Sequence, residues 1–192
     1  YPITYAIKDK CKLAVRTALD MFSSDMKDVT GRKAIQASPT NATIEITQLD
    51  MASNNTKKRL KSMNVPVDEI AMKAECFDIR TNNNGKIIIT GSDTRGTAYG
   101  ILELSRMAGV SPWTWWADSK PMHKDILTIN DDFKTTQSPS VKYRGIFIND
   151  EDWSMQPWSW MNFEPSDIKG KIGARTYKEI FKLLMRLRAN AI

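Results

Sequence analysis

The apolar run Tyr143-Arg-Gly-Ile-Phe-Ile148 ends abruptly in Asn149, Asp150, Glu151 and Asp152, and Trp153, Trp158 and Trp160 follow within a few residues. Three carboxylates with no basic residue among them are costly to bury unpaired, so they face solvent, a cation or a polar ligand. Indoles beside carboxylates suit sugars. The flat apolar face of a pyranose packs on an aromatic ring, and the acids accept hydrogen bonds from its hydroxyls. One such carboxylate can also act as acid or base in glycoside hydrolysis. Two other readings compete. Acids after a strand also serve as helix caps or solvated loops. Three acids can also hold calcium or magnesium, although the calcium-loop signature with its fixed Gly and terminal Glu is absent.

A second aromatic cluster stands in Ser-Pro-Trp-Thr-Trp-Trp-Ala-Asp-Ser-Lys-Pro, residues 111–121. Trp113, Trp115 and Trp116 read as a loop between a helix and a strand, at least two of them as a plug between domains. Asp118 and Lys120 at its tip can reach a neighbouring site, where Lys120 suits a substrate carboxylate; the plain alternative is a solvated loop lysine. The stretch Gly91-Ser-Asp-Thr-Arg-Gly96 follows a strand and opens a helix, the context of anion capture at a helix N-terminus. It lacks both G-x-G-x-x-G and Gly-Lys-Ser/Thr. A packing turn is favoured, in which Gly96 and Gly100 let the helix approach the sheet.

The elements that must carry these loops follow from periodicity. Residues 5–23 carry Ile7, Cys11, Ala14, Val15, Ala18 and Phe22 at helical spacing, which predicts a helix. Strands are expected at 43–47 and at 76–80, the latter returning through the Asn- and Gly-rich turn 81–85 to a strand at 86–90. The polar stretch 50–64 reads as a loop or weak helix. A helix capped by Ser92, Asp93 or Thr94 buries Ala98, Ile101, Leu102, Ser105 and Ala108 and stops at Gly109 and Pro112. Asp125 to Ile129 is expected as a strand, 130–141 as a linker, 143–148 as a strand, 176–189 as a helix, and Asn190-Ala-Ile192 as the start of another strand. A small α/β (α+β) layer domain followed by an unfinished βαβ unit is the outcome. The unpartnered strand and helix at the end imply a chain cut from a longer protein.

The 192 residues, 41% hydrophobic, suffice for one domain and part of another. The formal charge of +6 has no nucleic-acid pattern, because acids alternate with the bases and Lys57-Lys58-Arg59 is the one tight triplet. Two distant cysteines and the lone His123 argue strongly against a structural zinc site or a histidine triad within the chain. A single disulfide stays open, although Cys11 on the apolar side of the helix pattern favours a buried thiol. No metal or cofactor is expected. No apolar run is long enough to span a membrane, and a start at Tyr1 fits either a processed secreted protein or a trimmed chain.

Together, residues 91–121, residues 143–158 and Ile172-Gly-Ala-Arg-Thr…Ile192 resemble glycoside hydrolase family 115, the xylan α-1,2-glucuronidases. The resemblance runs from about Ile87 to Ile192. It implies an N-terminal α/β domain over 1–137 and the first strand–helix unit of a truncated TIM (β/α)8 barrel over 138–192. It further implies a secreted or periplasmic glycosidase that removes (4-O-methyl)glucuronic acid from glucuronoxylan with inversion. The segment Asn149–Trp153 would border the sugar pocket, with Asp152 the first candidate for a hydroxyl contact, then Asp150 and Glu151. Trp153 is the adjoining aromatic contact, and Lys120 would reach the uronate carboxylate. An inverting pair of carboxylates stands about 6.5–9.5 Å apart; at least one of them would lie beyond Ile192, so this chain alone is expected to be inactive. The alternative is a non-catalytic carbohydrate-binding or scaffolding module. A nucleic-acid binder ranks last.

Overall fold

The computed structural model describes residues 2–8, 11–149, 153–165 and 170–192. It divides into two units, Tyr1–Ser140 and Val141–Ile192.

The first unit is built on one mixed sheet in the order β2-β1-β3-β5-β4-β6. β1 (Thr4–Lys8), β2 (Ile35–Gln36), β3 (Ile44–Gln48) and β5 (Ile87–Gly91) run parallel. β4 (Phe77–Thr81) and β6 (Lys134–Gln137) are antiparallel to their neighbours. β3, flanked on both edges, is buried at all five positions, as expected of a strand covered on both faces. Adjacent residues of β5 show the two layers. Ile89 lies against Gly100 of helix α4 (Thr94–Met107). Ile88 points the other way, into a cluster with Leu60 of α2 (Asn54–Ser62) and Val67 and Ile70 of α3 (Val67–Ala71). Helix α1 (Leu13–Thr30) packs beside α4 and buries Val15, Ala18, Phe22, Met26 and Val29. The unit is thus a helix–sheet–helix sandwich.

Four expectations for the first unit need correction. Residues 5–8 are strand, and the helix runs Leu13–Thr30 instead of 5–23. Two parallel neighbours claim the backbone of β1, and that pairing is non-local. Cys11 therefore precedes the helix and is half-buried instead of fully buried; it and the buried Cys76 are both free thiols. The segment 125–129 alternates as expected, with Leu127 and Ile129 half-buried over an apolar cavity of about 290 Å³ beside Phe22, Met26 and Ile44, yet it joins no ladder. The strand lies later, at β6, inside the stretch expected as a linker. Alternation reports which way side chains point, not whether the backbone has a partner.

The second unit contains α5 (Met155–Trp158), a π-helical turn at Ser159–Phe163 and α6 (Ala174–Arg186). Helix α6 buries Thr176, Ile180, Leu183 and Leu184. The expected strand at 143–148 is reduced to one parallel bridge, Gly145 with Ala191. A ladder needs a partner of some length, and the partner here is Asn190–Ile192. Exposure alternates along it: Tyr143 and Phe147 are 74% and 91% exposed, while Arg144, Ile146 and Ile148 are half-buried.

Candidate functional site

In the second unit, Arg144 clamps the parallel contact. Its carbonyl accepts from the N–H groups of Asn190 and Ala191 at 2.7 and 3.0 Å, its N–H donates to Asn190 Oδ1 at 3.0 Å, and its Nε donates to the Arg188 carbonyl at 2.7 Å. Gly145 permits this approach, since a Cβ there would stand 3.0 Å from the carbonyl carbon of Ala191. The chain then runs from Ile146 to Asn149 and into the acid cluster. Asp150, Glu151 and Asp152 lie outside the described residues. Trp153 is described and 82% exposed.

The connection returns to the N-terminus of α6 through a contact that sequence reasoning missed. The Glu164 carboxylate accepts from the backbone N–H groups of Arg175 and Thr176 at 3.0 Å each, and from the Thr176 hydroxyl at 3.1 Å. It satisfies donors that the first turn of a helix leaves open. The Arg175 N–H, with the Thr176 donors and the Arg175 charge behind it, holds the Glu164 carboxyl below the ordinary carboxylate range. Gly173 makes room, because any side chain there would collide with that carboxylate. Ser159 and Thr176 join hydroxyls at 2.7 Å in the buried interior. Above them Trp158 stacks on Phe163 with centroids 5.4 Å apart, and the Arg175 guanidinium lies 4.9 Å from the Phe163 ring centre. Nine residues separate Glu164 from α6, so no short capping pattern could have disclosed the contact.

In the first unit, the loop after α4 begins at Gly109 (φ 102°) and turns again at Asp118, whose φ of 49° is left-handed. The Trp115 and Trp116 rings meet edge to face at 4.8 Å, and Trp113 and Trp115 are 45% and 41% exposed. Lys120 donates its backbone N–H to the Asp118 carbonyl at 3.0 Å, and its side chain is exposed. Lys120 thus stands in the first unit and Trp153 in the second.

The glycine-bearing turn is a packing device. Asp93 caps α4, its Oδ1 accepting the Gly96 N–H at 2.8 Å and its Oδ2 the Glu75 N–H at 2.7 Å. A carboxylate already occupies the place an anion would take. Gly96 abuts the Cys76 backbone, and Gly100 abuts Ile89 and Phe77. Among the described residues no three His, Cys, Asp or Glu side chains group as metal ligands.

Residues 136–192 match glycosyl hydrolase family 115. Over 98% of its length this chain also superposes, with a TM-score of 0.88 and 42% identity, on a family 115 4-O-methyl-α-glucuronidase, BtGH115A, described as specific for decorated arabinogalactans. The chain belongs to glycosyl hydrolase family 115. It spans 24% of the length of that relative. A second structure, a family 138 enzyme that targets pectin rhamnogalacturonan II, aligns over 97% of this family 115 chain and 18% of its own, with a TM-score of 0.52 at 17% identity, a likeness of fold alone. A search of curated proteins found no match. The family 115 chain is a mixed α/β protein, as its sequence implied, and no helix among its described residues is long and apolar enough to cross a membrane.

Proposed function

We propose that this chain is the N-terminal part of a glycoside hydrolase that removes (4-O-methyl)glucuronic acid side groups from a polysaccharide, glucuronoxylan first, by inverting hydrolysis. The observation that carries this reading is the 42% identity, sustained over 98% of the chain, to a 4-O-methyl-α-glucuronidase. On this reading residues 138–192 begin the catalytic (β/α)8 barrel. The parallel contact of Gly145 with Ala191 across α6 supports it, since adjacent parallel strands joined by a helix are the repeating unit of such a barrel. The acids at 150–152 follow the first of these segments, at the carboxyl-end position where barrel enzymes carry their sites.

In this proposal Asp152, then Asp150 and Glu151, accept hydrogen bonds from sugar hydroxyls, Trp153 supplies an apolar face, and Lys120 pairs with the uronate carboxylate. The acid that protonates the glycosidic oxygen and the base that activates water come at least in part from residues beyond 192, so the chain alone does not turn over substrate. The parent acts outside the cytoplasm, in the periplasm or secreted, where its polymer is found.

The test is release of glucuronic acid by the full-length parent from glucuronoxylan and, separately, from glucuronate-bearing arabinogalactan. The second substrate is warranted by the specificity of BtGH115A. Loss of Lys120 (Lys120→Ala) is expected to raise KM about tenfold or more, the scale of a charge-assisted hydrogen bond, with a smaller effect on a substrate whose uronate is reduced to glucose. Equal effects on both substrates would remove Lys120 from the carboxylate. If the parent binds both polymers and hydrolyses neither, the alternative of a non-catalytic carbohydrate-binding module takes the place of this reading.

A further inference from the structure

A cleft of about 580 Å³ opens at the tip of the β4–β5 hairpin, within the size range of small-molecule sites. Its walls come from three separate segments: the end of α2 (Met63, Asn64), the hairpin turn (Asn83, Asn84) and the entry to β6 (Asp131–Lys134). Each wall is tied to the sheet. Arg80 reaches from β4 to the Asn64 carbonyl, and Asn64 holds a left-handed φ of 61°. The Thr81 hydroxyl bonds the carbonyls of Asn130 and Asp131 at 3.1 and 2.5 Å. Asn82 Oδ1 accepts the N–H groups of Asn84 and Lys86 at 3.0 and 2.9 Å, which fixes the turn and leaves the amides of Asn83 and Asn84 exposed. The cleft is therefore formed before any ligand arrives, and a preformed site loses less on binding.

The lining selects a ligand class. Arg80 is committed to the buried carboxylate of Asp78, through Nε at 2.6 Å and Nη2 at 2.7 Å. The remaining charges are the exposed carboxylates of Asp131 and Asp132 against the one ammonium of Lys134. That balance is slightly negative and disfavours uronates, phosphates and nucleic acid. Amides that donate and accept, with carboxylates that accept, match vicinal hydroxyls. The half-buried Met63 and Phe133 add an apolar wall. We propose that this cleft binds a neutral, hydroxyl-rich saccharide, the undecorated main chain of a polysaccharide. The saccharide class rests on the hydrolase reading above; the preference for a neutral ligand rests on the cleft itself.

The experiment titrates the 192-residue chain with xylohexaose while amide resonances are followed by NMR. The expected result is saturable shifts at Asn82–Asn84 and Asp131–Lys134. The double variant Asn83→Ala/Asp132→Ala alters two exposed side chains and is expected to weaken binding at least about tenfold. Phe133→Leu, which keeps apolar volume, is expected to weaken it less. Absence of shifts at these amides, or unchanged affinity in the double variant with its spectrum otherwise native, overturns the proposal. So does sodium glucuronate shifting the same amides as strongly as xylohexaose. Glucuronic acid release by the parent carrying the same double variant separates the two ideas. Retained hydrolysis with lost xylohexaose binding supports both, and retained hydrolysis with unchanged binding overturns the cleft alone.

Discussion

Replacing Gly96 by alanine should destabilise the first unit, although alanine is the better helix former. In an open helix interior Gly→Ala gains about 0.5–1 kcal/mol. Here the new Cβ would stand 2.9 Å from the Cys76 carbonyl carbon and closer still to its oxygen. That oxygen cannot swing away, because it accepts the Ser92 N–H at 2.8 Å, and the Cys76 N–H is itself bound to the Ser92 hydroxyl at 2.9 Å. Relief must therefore come from shifting α4 off the sheet, against buried Ala98, Ile101 and Leu102. Overpacking typically costs about 1–3 kcal/mol, and a backbone obstacle belongs at the upper end. The net loss is about 2 kcal/mol, or about thirtyfold in the opening equilibrium. Gly100→Ala meets a side chain instead, Ile89 Cγ2 at 2.8 Å and Phe77 Cβ at 3.2 Å, and should lose about half as much. Native-state hydrogen exchange at the amides of Ile88–Thr90 reads the first unit directly. A Gly96→Ala chain as protected as the parent sequence, or a larger loss for Gly100→Ala, would refute the backbone-contact argument.

Three further outcomes are expected. The carboxyl of Glu164 is depressed in the folded chain, so its tie to α6 stabilises above the ordinary carboxylate pKa and fades as pH falls through the depressed value; exchange at the Thr176 amide, relative to its intrinsic rate, should rise on acidification through that range, and Glu164→Gln should abolish that rise. Removing the charged partner of the fully buried Asp78 carboxylate by Arg80→Met, which leaves it only the Thr136 hydroxyl, should cost about 3–5 kcal/mol, most of it recovered in the double variant Asp78→Val/Arg80→Met; a double variant as unstable as the single one would mean the cost lies in packing instead. The hydroxyls of Thr47 and Thr90 are buried side by side in register without a partner among the described residues, so Thr47→Val and Thr90→Val should each raise the unfolding midpoint, by about 1 kcal/mol or less of added stability; a lowered midpoint in urea would show that these oxygens are satisfied after all.

What the sequence disclosed is what local physics decides. The β4–β5 hairpin announces itself through an Asn- and Gly-rich turn between β-branched runs, and α4 through its Asp93 cap and its Gly109 stop. The role of Gly96 and Gly100 in close packing was legible for the same reason, because small residues at that spacing can line only one helix face. What stayed hidden depends on partners far along the chain. β1 carries a helical pattern of apolar residues and becomes a strand because β2 and β3 flank it. β6 is polar and reads as a linker until Thr136 is seen donating to Asp78 at 2.7 Å, fifty-eight residues away. Of the candidate site, Lys120 and Trp153 are exposed as a ligand contact requires, while the carboxylates at 150–152 fall outside the described residues.

The segment 143–148 carries the most information relative to its length. Its two faces differ in what covers them, yet both carry large apolar side chains: Ile146 and Ile148, on the face that also holds Arg144, are half-buried, and Tyr143 and Phe147 on the other side are largely exposed. A strand meant for a one-sided sheet alternates apolar with polar residues, whereas a strand apolar on both sides is the pattern of parallel sheets covered twice. The same segment already accepts its neighbour in parallel, through Gly145 and Ala191 with α6 between them in sequence. Pattern and pairing are independent observations, one of side chains and one of backbone. In the barrel we propose, Asn149 would end the first strand, and a solvated loop on a one-sided sheet would have needed neither pattern nor pairing.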